Sequence, residues 1–188
     1  MAHKAILFSA PSGSGKTTII KRLLKYFDCF EFSISATSRQ PREGERDGVD
    51  YYFLKPDEFE RRVKDGDFLE WEEVYAGTRY GTLKSEIDRI AQKNKVVIFD
   101  VDVNGGLNIK RYFGDEALAI FVMPPSIEVL EQRLRQRGTE SEESIQKRLG
   151  RSAKELDEAN KFDITIVNDD LDRAVEETKR VVESFLEN

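Results

Sequence analysis

Phe8-Ser9-Ala10-Pro11-Ser12-Gly13-Ser14-Gly15-Lys16-Thr17-Thr18 is the stretch that decides the fold. It follows the apolar run Ala5-Ile6-Leu7-Phe8 and opens a helical pattern carried by Ile19, Ile20, Leu23 and Leu24. A strand, a loop of small residues, Lys-Thr and then a helix is the layout of a phosphate-binding loop. Successive backbone N–H groups point into a concavity at a helix N-terminus, where the helix dipole also favours an anion. Gly13 and Gly15 let the backbone wrap closely because they carry no Cβ. Ser12, Gly13, Ser14, Gly15, Lys16, Thr17 and Thr18 are therefore the expected nucleotide-phosphate site. Lys16 reaches the β- and γ-phosphates in this reading, and the Thr17 hydroxyl is a ligand for Mg²⁺. The strict pattern has glycine at the position of Ala10. Pro11 pushes its predecessor into the extended region, which alanine adopts without strain. The competing reading, a flexible Gly/Ser turn, is disfavoured by Gly-Lys-Thr and by both flanks.

A chain of 188 residues is one domain, or one domain with inserted subdomains. Its net charge of −6 weighs against a nucleic-acid polymer as partner, so any anion must be met by local basic clusters. No apolar run approaches the roughly 18 residues of a membrane span, and no signal-like segment opens the chain, so a cytoplasmic protein is expected. One cysteine, Cys29, excludes an internal disulfide and a cysteine-based zinc site. The one histidine, His3, stands near the N-terminus, and histidine-based catalysis is not expected.

After the first helix, Phe30 to Ser35 alternates as a short strand, and a polar loop runs from Ala36 to Asp50. An ordered loop of that length is usually functional. Tyr51 to Leu54 reads as a strand, Pro56 opens a short helix that Asp65-Gly66 stops, and Phe68 to Tyr75 is a further strand. Tyr80-Gly81-Thr82 leads into a helix bearing Leu83, Ile87, Ile90 and Ala91. Val96 to Phe99 and Ala117 to Met123 are solid apolar runs, as expected of parallel strands buried on both faces. Asn104 to Tyr112 reads as a helix between them. Ser126 is a candidate N-cap, Gly138 ends that helix, and Thr139 with Glu142 suggests a capping box for the next. Phe162 to Asn168 is the last strand, and Asp169 or Asp170 caps the last helix. Together these predict an α/β fold of three layers: a parallel sheet covered on both faces, plus a small mixed α/β insertion. Ligands in such folds bind at the strand C-termini.

Asp100 ends an apolar strand, where an acid holds Mg²⁺ directly or through water. Asp102, two residues on, projects to the same side and could address a second substrate. Arg39 and Arg42 flank Pro41 in the long loop, with Tyr51 and Tyr80 as hydroxyl donors, and arginine forks suit a phosphate. Arg133, Arg137, Arg148 and Arg151 lie on two consecutive helices that could close over a triphosphate and exclude water.

Ser33 through Glu45, Gly48 through Phe53, Phe68-Leu69-Glu70-Trp71, Tyr80-Gly81-Thr82, Asp100-Val101-Asp102, Arg137 through Glu140 and Val167 through Asp170 together resemble the guanylate kinases in order and spacing. The resemblance covers essentially the whole chain. It implies ATP-dependent phosphorylation of GMP to GDP, with dGMP as a further acceptor, in purine nucleotide metabolism. It divides the chain into a core (1–32, 96–125 and 157–188), a GMP-binding subdomain (33–95) and a lid (126–156). It places the GMP phosphate at Arg39, Arg42, Tyr51 and Tyr80, and guanine at Ser35, Glu70, Thr82 and Asp102. It gives Lys16, Arg133, Arg137 and Arg148 the catalytic contacts to ATP, Asn168 a place at adenine, and Thr17 and Asp100 the metal of Mg-ATP. Guanine chemistry agrees, since its N1 and N2 donors suit carboxylates. The resemblance says nothing of oligomeric state. Two other readings stay open: an inactive scaffold of the same family that binds phosphorylated peptides, and a kinase for another small phosphate.

Overall fold

The computed structural model describes residues 4–75, 77–136 and 141–187. In chain order its elements are β1 (Ala5–Ser9), α1 (Lys16–Tyr26), β2 (Phe30–Phe32), β3 (Ala36–Thr37) and β4 (Tyr52–Phe53). Then come α2 (Pro56–Lys64), β5 (Phe68–Tyr75), β6 (Thr78–Leu83), α3 (Lys84–Ala91), β7 (Val96–Asp100) and α4 (Val103–Phe113). The chain closes with β8 (Ala117–Met123), α5 (Ile127–Gln136), α6 (Glu142–Asp157), β9 (Ile164–Val167) and α7 (Leu171–Glu187).

The larger sheet runs β2-β7-β1-β8-β9, with every pair parallel. Alternation along its strands explains their unbroken apolar sequences. Ile6, Phe8, Ile98, Ile120 and Val122 face α1 and α7, joining Ile19, Ile20, Leu23, Val175 and Val182. Leu7, Val97, Phe99, Ala119 and Phe121 face the other way and meet Ile87 and Ile90 of α3 with Val103 and Ile109 of α4. Phe8, Phe99 and Phe121 are fully buried, and each such burial is worth about 1.5–3 kcal/mol. Ala10 is itself part of the first cluster, so its methyl has a packing role beyond the conformational tolerance set by Pro11. The register places Phe8 opposite Asp100, so the loop after β1 and the acid ending β7 emerge at one edge.

The second sheet, β4-β3-β6-β5, is mixed: β3 pairs parallel with β4, while β6 is antiparallel to both β3 and β5. Two expectations change here. The run Phe30 to Ser35 is not one strand: β2 stops at Phe32, and after Ser33 the chain crosses to the second sheet as β3. The segment around Tyr80-Gly81-Thr82 is not a lead into a helix but the strand β6, and α3 begins only at Lys84. Gly81 fits there because a Cβ would lie 2.7 Å from the Glu70 carbonyl oxygen and 2.8 Å from the Phe68 ring.

Leu130, Leu134, Ile145 and Leu149 form a small apolar cluster of their own between α5 and α6. Val129 N donates to Ser126 Oγ at 3.3 Å, as expected of the α5 cap. The α6 cap is Ser141 rather than Thr139: the Ser141 hydroxyl accepts from Ser144 N at 3.3 Å, and the helix starts at Glu142. Gly138 and Thr139 lie outside the described residues. Asp170 takes the capping role expected of it or its neighbour, accepting from Arg173 N at 2.9 Å. No helix among the described residues is long and apolar enough to cross a membrane.

Candidate active site

The C-terminal edge of the larger sheet opens into a cleft of about 450 Å³, with the smaller sheet forming its far wall. The loop after β1 lies at one end. Gly13 and Gly15 have φ of +100° and +90°, left-handed values that the sequence implied by placing glycine there. Gly15 could not carry a side chain in any case, because a Cβ would sit 2.2 Å from Asn168 Nδ2. That amide donates to the Ser14 carbonyl at 2.7 Å, pinning the loop backbone. Lys16 Nζ lies 2.7 Å from Asp100 Oδ1 and donates to the Val101 carbonyl at 2.7 Å. Thr17 Oγ1 donates to Asp100 Oδ2 at 3.2 Å. Ammonium, hydroxyl and carboxylate thus meet where a phosphate chain and a hard cation with oxygen ligands would meet.

The far wall carries a second anion cradle. Both Nη atoms of Arg39 donate to Glu45, at 2.6 and 2.7 Å, and its Nε donates to the Tyr80 hydroxyl at 3.2 Å. The guanidinium lies 4.9 Å from the Tyr51 ring centroid, a cation–π distance. Arg39 in turn holds the Glu45 carboxyl down to about 2. Arg42 borders the same space, and its backbone N–H donates to Glu45.

Below the cradle stand three carboxyl groups. Burial pushes the Glu70 carboxyl up to about 7, and the nearby Asp102 charge adds to the rise. The Thr82 hydroxyl, at 2.7 Å from Glu70 Oε1, works the other way by favouring the ionised form. Glu72 also rises to about 7, chiefly because the Asp102 carboxyl stands beside it, with burial adding to the rise. Asp102 caps α4 by accepting from Gly105 N at 2.9 Å, and its other oxygen accepts from Arg151 at 3.1 Å. Gly105 suits this crowding: a Cβ would stand 3.0 Å from Glu70 Oε2 and 3.2 Å from Asp102 Oδ1, and the carboxylates would have to shift to admit it.

Most of the expected residues therefore converge on one cleft. Ser12, Gly13, Ser14, Gly15, Lys16, Thr17, Thr18, Ser35, Arg39, Arg42, Tyr51, Glu70, Tyr80, Asp100, Asp102 and Arg148 all line it. Arg148 reaches down from α6 to donate to Ser12 Oγ at 2.7 Å. Two expected residues sit behind the surface instead, and a third, half-buried, points to one of them. Thr82 is buried and gives its hydroxyl to Glu70, so it orients the carboxylate rather than facing the cleft. Asn168 is buried with its amide on the phosphate loop, not presented to a base. Arg133 donates to the Asn168 carbonyl at 2.9 Å, tying α5 to that same residue. Arg137 lies outside the described residues. Glu72 and Glu155 also line the cleft without having been expected there, and Arg151, grouped in the sequence with the other arginines of the two helices, lines it as well. Glu72 had a signal, since it shares a strand face with Glu70.

A family model described as guanylate kinase matches residues 2–185. Among curated relatives, the guanylate kinase of Porphyromonas gingivalis is 53% identical over 184 residues, covering 97% of this chain and 98% of that one. The guanylate kinase of Salinibacter ruber is 52% identical over 181 residues, covering 96% of each. Among solved structures, guanylate kinase from Anaplasma phagocytophilum superposes with a TM-score of 0.76 at 27% identity, covering 97% of this chain and 86% of that one.

Proposed function

Because the chain belongs to the guanylate kinase family, the ATP:GMP phosphotransferases, we infer from its cleft how its own residues divide that transfer. The observation that carries the assignment is the pairing of two unlike ends in one cleft. One end is a glycine-bounded phosphate loop with Lys16 on Asp100; the other joins an arginine cradle to buried carboxyl groups. The loop from Ser12 to Thr18 holds the ATP phosphates, with Lys16 neutralising the charge that develops on the transferring group. ATP-using kinases generally need Mg²⁺; here Thr17 and Asp100 would hold it, and it would supply further charge neutralisation on the phosphates.

GMP lies across the cleft in this reading. Its phosphate meets Arg39, Arg42, Tyr51 and Tyr80, while Glu70 and Asp102 accept from guanine N1 and the 2-amino group beside Ser35. Thr82 acts through Glu70. No general base is needed, because the attacking GMP phosphate oxygen is already largely ionised above its second pKa of about 6. Arg148, with Arg133 and Arg137, completes the positive charge around the phosphates from the lid. Asn168 serves the donor site by fixing the Ser14 carbonyl, which leaves the loop N–H groups for phosphate. The core, acceptor subdomain and lid follow the division at 33–95 and 126–156. ATP and GMP are small-molecule partners, and the chemistry is that of a cytoplasmic enzyme. A coupled assay with ATP-Mg and each nucleoside monophosphate tests the reading. GMP and dGMP should turn over strongly, with AMP, CMP and UMP far behind. Tight binding of phosphopeptides without turnover would overturn it.

The buried Glu70 carboxyl makes acceptor binding pH-dependent. Guanine offers donors to this group, so only the ionised carboxyl serves, and GMP binding must expel the proton held up to about 7. The KM for GMP should therefore rise as pH falls from about 8 to about 6, more steeply than the KM for ATP. For stability the sign is opposite: the raised pKa contributes stability at low pH that is lost as pH rises through about 7. Parallel pH profiles of the two KM values check the first point, and equal slopes would refute it.

A further inference from the structure

Glu86 is a buried carboxylate on α3, 2% exposed, that the transfer chemistry does not use. It sits where the chain passes between the two sheets. One crossing is the segment from Phe32 to Ala36, which leaves β2 and enters β3; the other is the step from β6 into α3. Glu86 Oε2 accepts from Ile34 N at 2.9 Å, in the middle of the first crossing. Its Oε1 accepts from the Tyr52 hydroxyl of β4 at 2.7 Å. Arg89, one turn along the same helix, donates Nε and Nη2 to Glu86 at 2.8 and 2.9 Å. The same arginine reaches back to the core sheet through Glu31 and through the Phe32 carbonyl at 3.3 Å.

Both residues held by Glu86 adjoin residues assigned to GMP. Ile34 precedes Ser35, and Tyr52 follows Tyr51. Tyr52 N also donates to the Ser35 carbonyl at 2.9 Å, so the two neighbours are locked to each other as well. We propose that Glu86 is a positioning residue for the acceptor nucleotide, fixing the crossing at Ile34 and the strand at Tyr52 so that Ser35 and Tyr51 face the cleft from a set place relative to the phosphate loop. This rests on the assignment of Ser35 and Tyr51 to GMP. Ionised carboxylate is the right group for the task, because its two oxygens accept from four donors at once. An amide cannot: its NH₂ would face N–H and O–H donors, leaving buried groups unpaired.

The test compares Glu86→Gln and Tyr52→Phe with the unaltered protein by steady-state kinetics in both substrates. Glu86→Gln should raise the KM for GMP about tenfold, with the KM for ATP within about twofold and kcat within about threefold. Tyr52→Phe, which removes one arm alone, should raise the KM for GMP about two- to threefold in the same pattern. A merely structural role would lower Tm and leave the ratio of the two KM values unchanged, which overturns the proposal. If Glu86→Gln does not fold, an unchanged KM for GMP in Tyr52→Phe overturns it equally. Failure of the unaltered protein to bind GMP would overturn the acceptor assignment as well, so the two failures are distinct.

Discussion

Lys16→Ala should lower kcat by about a thousandfold or more while GMP still binds. Removing one preorganised donor at a developing charge commonly costs about 10²–10³ in rate, and here the donor carries a full charge. The ammonium stands at the strand edge, 2.7 Å from Asp100 and bonded to the Val101 carbonyl. Nothing in the acceptor half touches it, since Arg39, Tyr51 and Glu70 are held by their own partners across the cleft. Calorimetric titration with GMP alone separates the two halves. Loss of GMP binding in step with turnover would contradict the division of labour.

The second large effect is expected at Glu70. Glu70→Ala should reduce kcat/KM for GMP about 10²- to 10³-fold, with the KM for ATP nearly unchanged. Each hydrogen bond to a charged group contributes about 1.5–3 kcal/mol, and guanine offers this carboxylate two donors. The side chain is also preorganised, with Thr82 directing one oxygen and the missing Cβ of Gly105 leaving room for the other. AMP should gain no comparable activity, because the remaining Asp102 still lacks a partner on adenine. Steady-state rates with GMP and AMP decide the matter: a KM for GMP within about threefold of the unaltered value would remove Glu70 from the reader's role.

The phosphate loop was legible in the sequence because its information is local. Glycine positions, a lysine and two flanking apolar patterns occupy one short stretch, and the positive φ values at Gly13 and Gly15 follow from them. The parallel sheet was equally legible, since strands buried on both faces write continuous apolar runs. The strand β6 was not. Tyr80-Gly81-Thr82 carries a turn-forming residue, and only the close approach of β5 explains the glycine. Roles that depend on what a side chain meets across the fold were also hidden. Thr82 and Asn168 read as ligand contacts, yet their partners are Glu70 and the Ser14 carbonyl. Glu72 carried no role in the sequence beyond its place beside Glu70, and the packing of the two sheets sets it against the cleft.

The Arg39–Glu45 and Lys16–Asp100 pairs have one further consequence. Arg39 at one end of the cleft and Lys16 at the other are each already matched by a carboxylate of the chain. Any phosphate that binds through the same nitrogen atoms arrives by ligand exchange, one anion for another, rather than by filling an unmet positive charge. Such a site is selective by competition. At Arg39 the carboxylate is held by two parallel N–H···O bonds, and a phosphate oxygen pair offers the same fork the same geometry. In a protein of net charge −6, both of these cations are thus held in place by its own carboxylates before any nucleotide arrives.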